Sequence, residues 1–134
     1  MKKIEFWGRD QQDERLLDEV LDQKKTATCT PKVWYDTLPK EEKCSVGDLV
    51  EVFTKKGVHK ATICITDIYE IPFGKIEGEI GERIAKGENS SLEEFIDDHI
   101  FCWDEPLKEQ GIQLKGDTRI VVEHFELVSI VENS

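Results

Sequence analysis

The chain has 134 residues, 38% hydrophobic and 35% charged, with 18 lysines and arginines against 29 aspartates and glutamates, for a net charge of −11. A single domain of this length buries roughly two-thirds of its unfolded surface and needs no disulfide or metal to fold. The acidic excess argues against a protein that coats long nucleic acid, which relies on basic contacts to phosphates. Periodic apolar runs exclude wholesale disorder.

The charge is uneven. Residues 1–67 hold 12 basic and 13 acidic side chains, and residues 68–134 hold 6 and 16. Lys24, Lys25, Lys32, Lys40, Lys43, Lys55, Lys56 and Lys60 all fall in the first half, which leaves room for one local phosphate or nucleotide site. No apolar run is long enough to span a membrane. Met1-Lys2-Lys3 leads into too short and too charged a stretch for a signal peptide. The expectation is one cytoplasmic domain over residues 1–134. Cys29, Cys44, Cys64 and Cys102 form no CxxC and read as reduced thiols, with Cys64 packed in a strand. His59, His99 and His124 share no ligand spacing, so neither a metal nor another cofactor is expected.

In chain order, residues 11–22 predict a helix whose stripe is Leu16, Leu17, Val20 and Leu21, with Asp10, Asp13 and Glu14 at its positive end. Thr26 to Thr30 has strand character. Residues 31–47 read as irregular, broken by Pro31 and Pro39, with Val46-Gly47-Asp48 as a turn. A strand over 49–54 turns at Lys55-Lys56-Gly57 into a second at 61–71. Alternation places Ala61, Ile63, Ile65, Tyr69 and Ile71 on one face of that second strand, which Pro72 stops.

A weaker helix is predicted over 77–86, around Ile80 and Ile84, with Gly81 against it. A stronger one over 92–103 opens on the capping box Ser91-Leu92-Glu93-Glu94. Its buried stripe is Leu92, Phe95, Ile96, Ile100 and Trp103, and Pro106 ends it. His99, between Ile96 and Trp103, reads as a buried, hydrogen-bonded core histidine. Arg119 to Val131 is a last strand with apolar residues on both parities, as in a central or bulged strand. Strands interleaved with helices around a hairpin predict an α+β fold, a small mixed β-barrel with helices packed around it.

The sequence carries no P-loop, no GxGxxG and no nucleophile elbow. What stands out is Gln23-Lys24-Lys25-Thr26-Ala27-Thr28, directly after the first helix. Here the chain resembles the ASCH domain family, in which a helix runs into G-x-K-T-x-T, with Gln23 standing where glycine is usual. The resemblance continues through Val46-Gly47-Asp48, Ile71-Pro72-Phe73, Ala85-Lys86-Gly87-Glu88, Ser91-Leu92 with His99 and Phe101, and Val122 to Val128, and covers residues 5–131.

The resemblance implies a PUA-like fold. Its small bacterial amidohydrolase branch, which removes the acetyl group of N(4)-acetylcytidine, implies Lys25, Thr28 and Glu88 as catalytic residues. Around them Lys24, Thr26, Trp34 and Tyr35 are expected to bind substrate, the aromatic rings by stacking on a base. Amide cleavage needs a nucleophile, a base and an acid for the leaving amine. Thr28 attacks or positions a water, a neutral Lys25 is the base, and Glu88 sits near the leaving group or shares a proton with Lys25. Residues three apart point to opposite faces of a regular strand, so Lys25 and Thr28 converge only if the chain breaks between them or Lys25 still belongs to the helix end. The expected ligand is a small nucleoside or nucleotide. The alternative is a non-catalytic module that binds RNA or a nucleotide.

Overall fold

Six consecutive buried positions, Ile120 to Phe125, make the last strand, β5 (Arg119–Ile130), the axis of the fold. A strand buried on both sides needs both faces of its sheet covered. In the computed structural model, which describes residues 2–5, 15–40, 43–54 and 56–131, β5 pairs antiparallel with β4 (His59–Pro72) on one side and β2 (Ala27–Pro31) on the other. β3 (Leu49–Phe53) continues antiparallel from β4, and β1 (Lys2–Glu5) lies parallel to β3, giving the order β1-β3-β4-β5-β2. The fold is α+β, and this ladder is open among the described residues: β1 and β2 are its edges rather than closing a barrel.

Two hydrophobic clusters cover the two sides. Leu17 and Val20 from helix α1 (Arg15–Leu21) pack with Val50, Val52, Ala61, Ile63, Ile65 and Phe125. Ile84 and Ala85 from α3 (Gly78–Gly87), and Phe95, Trp103 and Leu107 from α4 (Leu92–Glu109), pack with Ile71, Ile120 and Val122. Ile120 and Val122 share a parity opposite to that of Phe125 and Leu127, which explains the mixed pattern of β5.

Along β4 the expected single face is broken. Between Ile65 and Asp67 the strand advances two residues while β5 advances one, a bulge that shifts the alternation by one. Ala61, Ile63 and Ile65 therefore serve the first cluster, and Tyr69 and Ile71 the second.

Other local expectations need correction. Pro31 is followed at once by a single helical turn, α2 (Lys32–Tyr35), so Trp34 and Tyr35 are held on a helix rather than in irregular chain. Pro106 does not end α4, which runs on to Glu109. The fully buried Leu107 anchors the extra turn, while Pro106, which has no amide to donate to the preceding turn, lies on the exposed side. Of the predicted stripe of α4, Phe95 and Trp103 are buried and Leu92 and Ile96 pack partly buried beside them, while Ile100 is 42% exposed; Leu107 extends the stripe. Ser91 caps the helix as expected, its hydroxyl accepting from the Glu94 amide at 3.2 Å. Of the first predicted helix, residues 11–14 lie outside the described residues.

Two helix ends set the path of the chain beside β2. After α1, Gln23 takes a left-handed φ of 61°, the Gln23 amide donates to the Val20 carbonyl and the Lys24 amide to that of Glu19. After α3, Asn89 takes φ 57°, with Asn89 donating to the Lys86 carbonyl and Ser90 to that of Ala85. Both are Schellman closures, which favour glycine or asparagine at the left-handed position. The glutamine costs about 1 kcal/mol there and the asparagine less.

Gly87 brings the second closure against the sheet. The Thr26 amide donates to its carbonyl at 2.6 Å, and a Cβ on Gly87 would sit 2.6 Å from that of Ala27. Gly87→Ala is expected to push α3 off β2 and lower stability by about 1–3 kcal/mol. Urea denaturation checks this, and an unchanged midpoint would refute the packing argument.

Candidate active site

The break expected between Lys25 and Thr28 lies at the α1 closure. The Lys25 amide still donates to Glu19, so this residue belongs to the helix exit, and β2 begins two residues later. Its side chain is 2% exposed. The Nζ donates to the Ala27 carbonyl and to Glu88 Oε1, each at 2.6 Å. Glu88 is the C-cap residue of α3, at the negative end of that helix, where a carboxylate is disfavoured without a cation. Burial, the largest single influence, pushes its carboxyl towards the neutral form, but the Lys25 charge together with His99 and the Lys25 hydrogen bond outweighs it, and the pKa falls to about 2. Glu88 is thus ionised at rest.

His99 completes the group from α4. Its Nδ1 lies 2.8 Å from the Phe95 carbonyl and its Nε2 3.0 Å from Glu88 Oε2. The second approach is a charge contact, off the line of an aligned hydrogen bond, and Oε2 has no aligned donor among the described residues. Phe95 and Trp103, four residues to either side, hold the imidazole at centroid distances of 4.1 and 4.6 Å. The helical stripe expected from sequence gives His99 only a core role; the signal that marks it otherwise is the four-residue ladder Phe95, His99, Trp103.

A cleft of about 1290 Å³ is lined by Lys25, Thr28, Glu88, His99, Trp34 and Glu123, among others. Thr28, opposite Glu123 in the β5 ladder, and Cys29, opposite Val122, both line the cleft, and the Glu88 carboxylate lies close to the Cys29 thiol. Burial, then the Glu88 charge, pushes the Cys29 thiol well up, so it is a neutral thiol and a poor nucleophile.

Trp34 lines the cleft and is fixed by its indole N–H, which donates to Gln110 Oε1 at 2.7 Å. Lys24 is exposed, Thr26 is engaged with Gly87, and Tyr35 lies under the Lys43 ammonium at 5.9 Å; none of these three lines the cleft. Among the described residues no group of three or more His, Cys, Asp or Glu side chains is placed to hold a metal, and no helix is long and apolar enough to cross a membrane.

The linkage of Glu88 to folding has a definite sign. Its folded pKa lies below the ordinary 4.5, so its stabilisation is full above about pH 4.5 and is lost as pH falls towards 2. Glu88→Gln strands the buried Lys25 without its carboxylate and is expected to cost on the order of 3 kcal/mol at pH 7. Urea unfolding of both proteins should show that gap shrinking below pH 4. A gap constant down to pH 2 would mean that the pair adds nothing to stability.

The ASCH domain profile matches residues 3–129. The ASCH domain from Lactobacillus crispatus is similar in structure, with a TM-score of 0.79 and 24% identity over 96% of this chain and 79% of that one. A protein from Enterococcus faecalis has a TM-score of 0.75 and 23% identity, over 97% and 77%. No curated protein matches the sequence. With nearly its whole length matched, and with the fold of a solved member, this chain belongs to the ASCH domain family.

Proposed function

We propose that this chain is a small-molecule amidohydrolase that removes an acyl group from the exocyclic amine of a pyrimidine nucleoside, as in N(4)-acetylcytidine. The observation that carries the reading is the buried 2.6 Å contact between Lys25 and Glu88 in the wall of a cleft large enough for a nucleoside. A buried ion pair is a weak stabilising device, because desolvation offsets the attraction. Such groups gather where chemistry requires them.

The pair can act as acid and base together. At rest it is an ammonium and a carboxylate. A substrate filling the cleft displaces water, and drier surroundings favour the neutral pair over the ionic one. One proton crossing from Nζ to Oε1 makes an amine base and a carboxylic acid in a single step. The amine takes the proton of the attacking hydroxyl, which belongs to Thr28 or to a water that Thr28 orients. As the amide C–N bond breaks, Glu88 gives its proton to the leaving amine, and the ion pair is restored. If Thr28 carries the acyl group, water releases it by the same cycle. Trp34 offers a fixed ring for base stacking, an interaction of about 1–3 kcal/mol. The scheme uses only side chains of this chain and water.

The family membership supports reading the open ladder as the curled sheet of a PUA-like barrel, bent at the two β4–β5 irregularities. The four free thiols support a cytoplasmic setting.

The test measures cytidine release from N(4)-acetylcytidine. The wild type is expected to turn over. Lys25→Ala and Glu88→Gln should each lower kcat by about 10²–10⁴-fold, Thr28→Ala should lower it strongly, and Cys29→Ala should leave more activity than Thr28→Ala. No turnover by the wild type, with retention of RNA on a filter, would replace this reading by a binding module. Turnover insensitive to Lys25→Ala would refute the mechanism.

A further inference from the structure

We infer that His99 is a positioning residue of this site, an imidazolium that clamps the second oxygen of Glu88 and so aims the first at Lys25. The inference rests on the reading of Lys25 and Glu88 as the acid–base pair, and it concerns a group on a different element, α4.

The case is one of donors and acceptors. The ring cannot turn away, because Phe95 and Trp103 hold it at 4.1 and 4.6 Å. Held there, Nδ1 lies 2.8 Å from the Phe95 carbonyl oxygen and Nε2 lies 3.0 Å from Glu88 Oε2. A carbonyl oxygen only accepts, and so does an ionised carboxylate. A neutral imidazole owns a single N–H, so one of its two nitrogens would turn a lone pair towards an oxygen. The doubly protonated ring presents a proton to the carbonyl and sets its charge, not a lone pair, 3.0 Å from the carboxylate. The carboxylate needs this charge, since Oε2 is buried with no aligned donor among the described residues and Glu88 sits at the negative end of α3.

The charged and titratable groups around the ring come from every packed element. They are Lys25 at the α1 exit, Cys29 on β2, Glu88 at the end of α3, Glu123 on β5, and Glu94 and Asp98 along α4 itself, all lining the same cleft. Among the described residues, Glu88 is the one that makes a charge contact with a ring nitrogen. The chain Lys25–Glu88–His99 is therefore one carboxylate between two cations. Pinning Oε2 leaves Oε1 as the only oxygen free to exchange a proton with Nζ.

Three measurements on the whole chain test this. Side-chain ¹⁵N–¹H spectra of histidine-labelled protein at pH 7 should show both His99 nitrogens protonated. His124 gives the contrast, since burial lowers its pKa and its ring hydrogen-bonds Tyr69. The carboxyl ¹³C signal of Glu88 should titrate at higher pH in His99→Phe than in the wild type, because that variant keeps the ring stack and loses both donors. In the cytidine-release assay His99→Phe should lose about 100-fold in kcat with little change in KM. His99→Gln, which can still donate to Oε2, should recover part of the loss.

A singly protonated His99 at pH 7, or a Glu88 titration unmoved in both His99 variants, would overturn the clamp. So would full kcat in His99→Phe. A wild type that fails to cleave the amide while His99 is doubly protonated would remove the reaction and leave the clamp standing.

Discussion

One ion pair ties the chain together at the place where chemistry is proposed. Lys25 and Glu88 are 63 residues apart, and their contact at 2.6 Å joins the end of α1 to the end of α3 across the edge strand β2. Burying two charges is costly, and the attraction repays it only when the geometry is held tightly. Local structure on both sides does the holding. Two Schellman closures set the directions in which the chain leaves its helices, and a glycine at position 87 lets one helix end touch the backbone of β2. The ion pair is less a cause of the fold than a demand placed on it.

The elements were legible wherever a single periodicity held. β3, α4 and the cap at Ser91 follow from alternation, from four-residue spacing and from a hydroxyl three residues before a glutamate. The exceptions have physical reasons. The bulge between Ile65 and Asp67 leaves no composition signal, yet it sends Tyr69 and Ile71 to the opposite side from Ala61, Ile63 and Ile65. Pro106 has the local preference of a helix terminator, but burial of the next residue, Leu107, outweighs one lost hydrogen bond on a wet face.

The site was legible in part, and for a different reason. Lys25, Thr28 and Glu88 came from motif resemblance, and the cleft does include all three. Periodicity contributed the break before β2, because residues three apart cannot share a strand face. What it could not supply was the partner from α4. The predicted stripe already holds Phe95 and Trp103 and makes His99, between them, a core histidine. Spacing along one helix carries no information about the carboxylate that the end of another helix brings against that ring, so the contact with Glu88 was not legible.

The bond from Lys25 Nζ to the Ala27 carbonyl has a second effect, on colloidal behaviour. Thr26 spends its carbonyl on the Phe125 amide of β5, so the next carbonyl, that of Ala27, points outward from the sheet. Outward carbonyls on a border strand invite a stray chain to add itself. Here an ammonium occupies the slot and a helix end shields the neighbouring amide. The amine in the cleft wall thus also covers an open acceptor on this border.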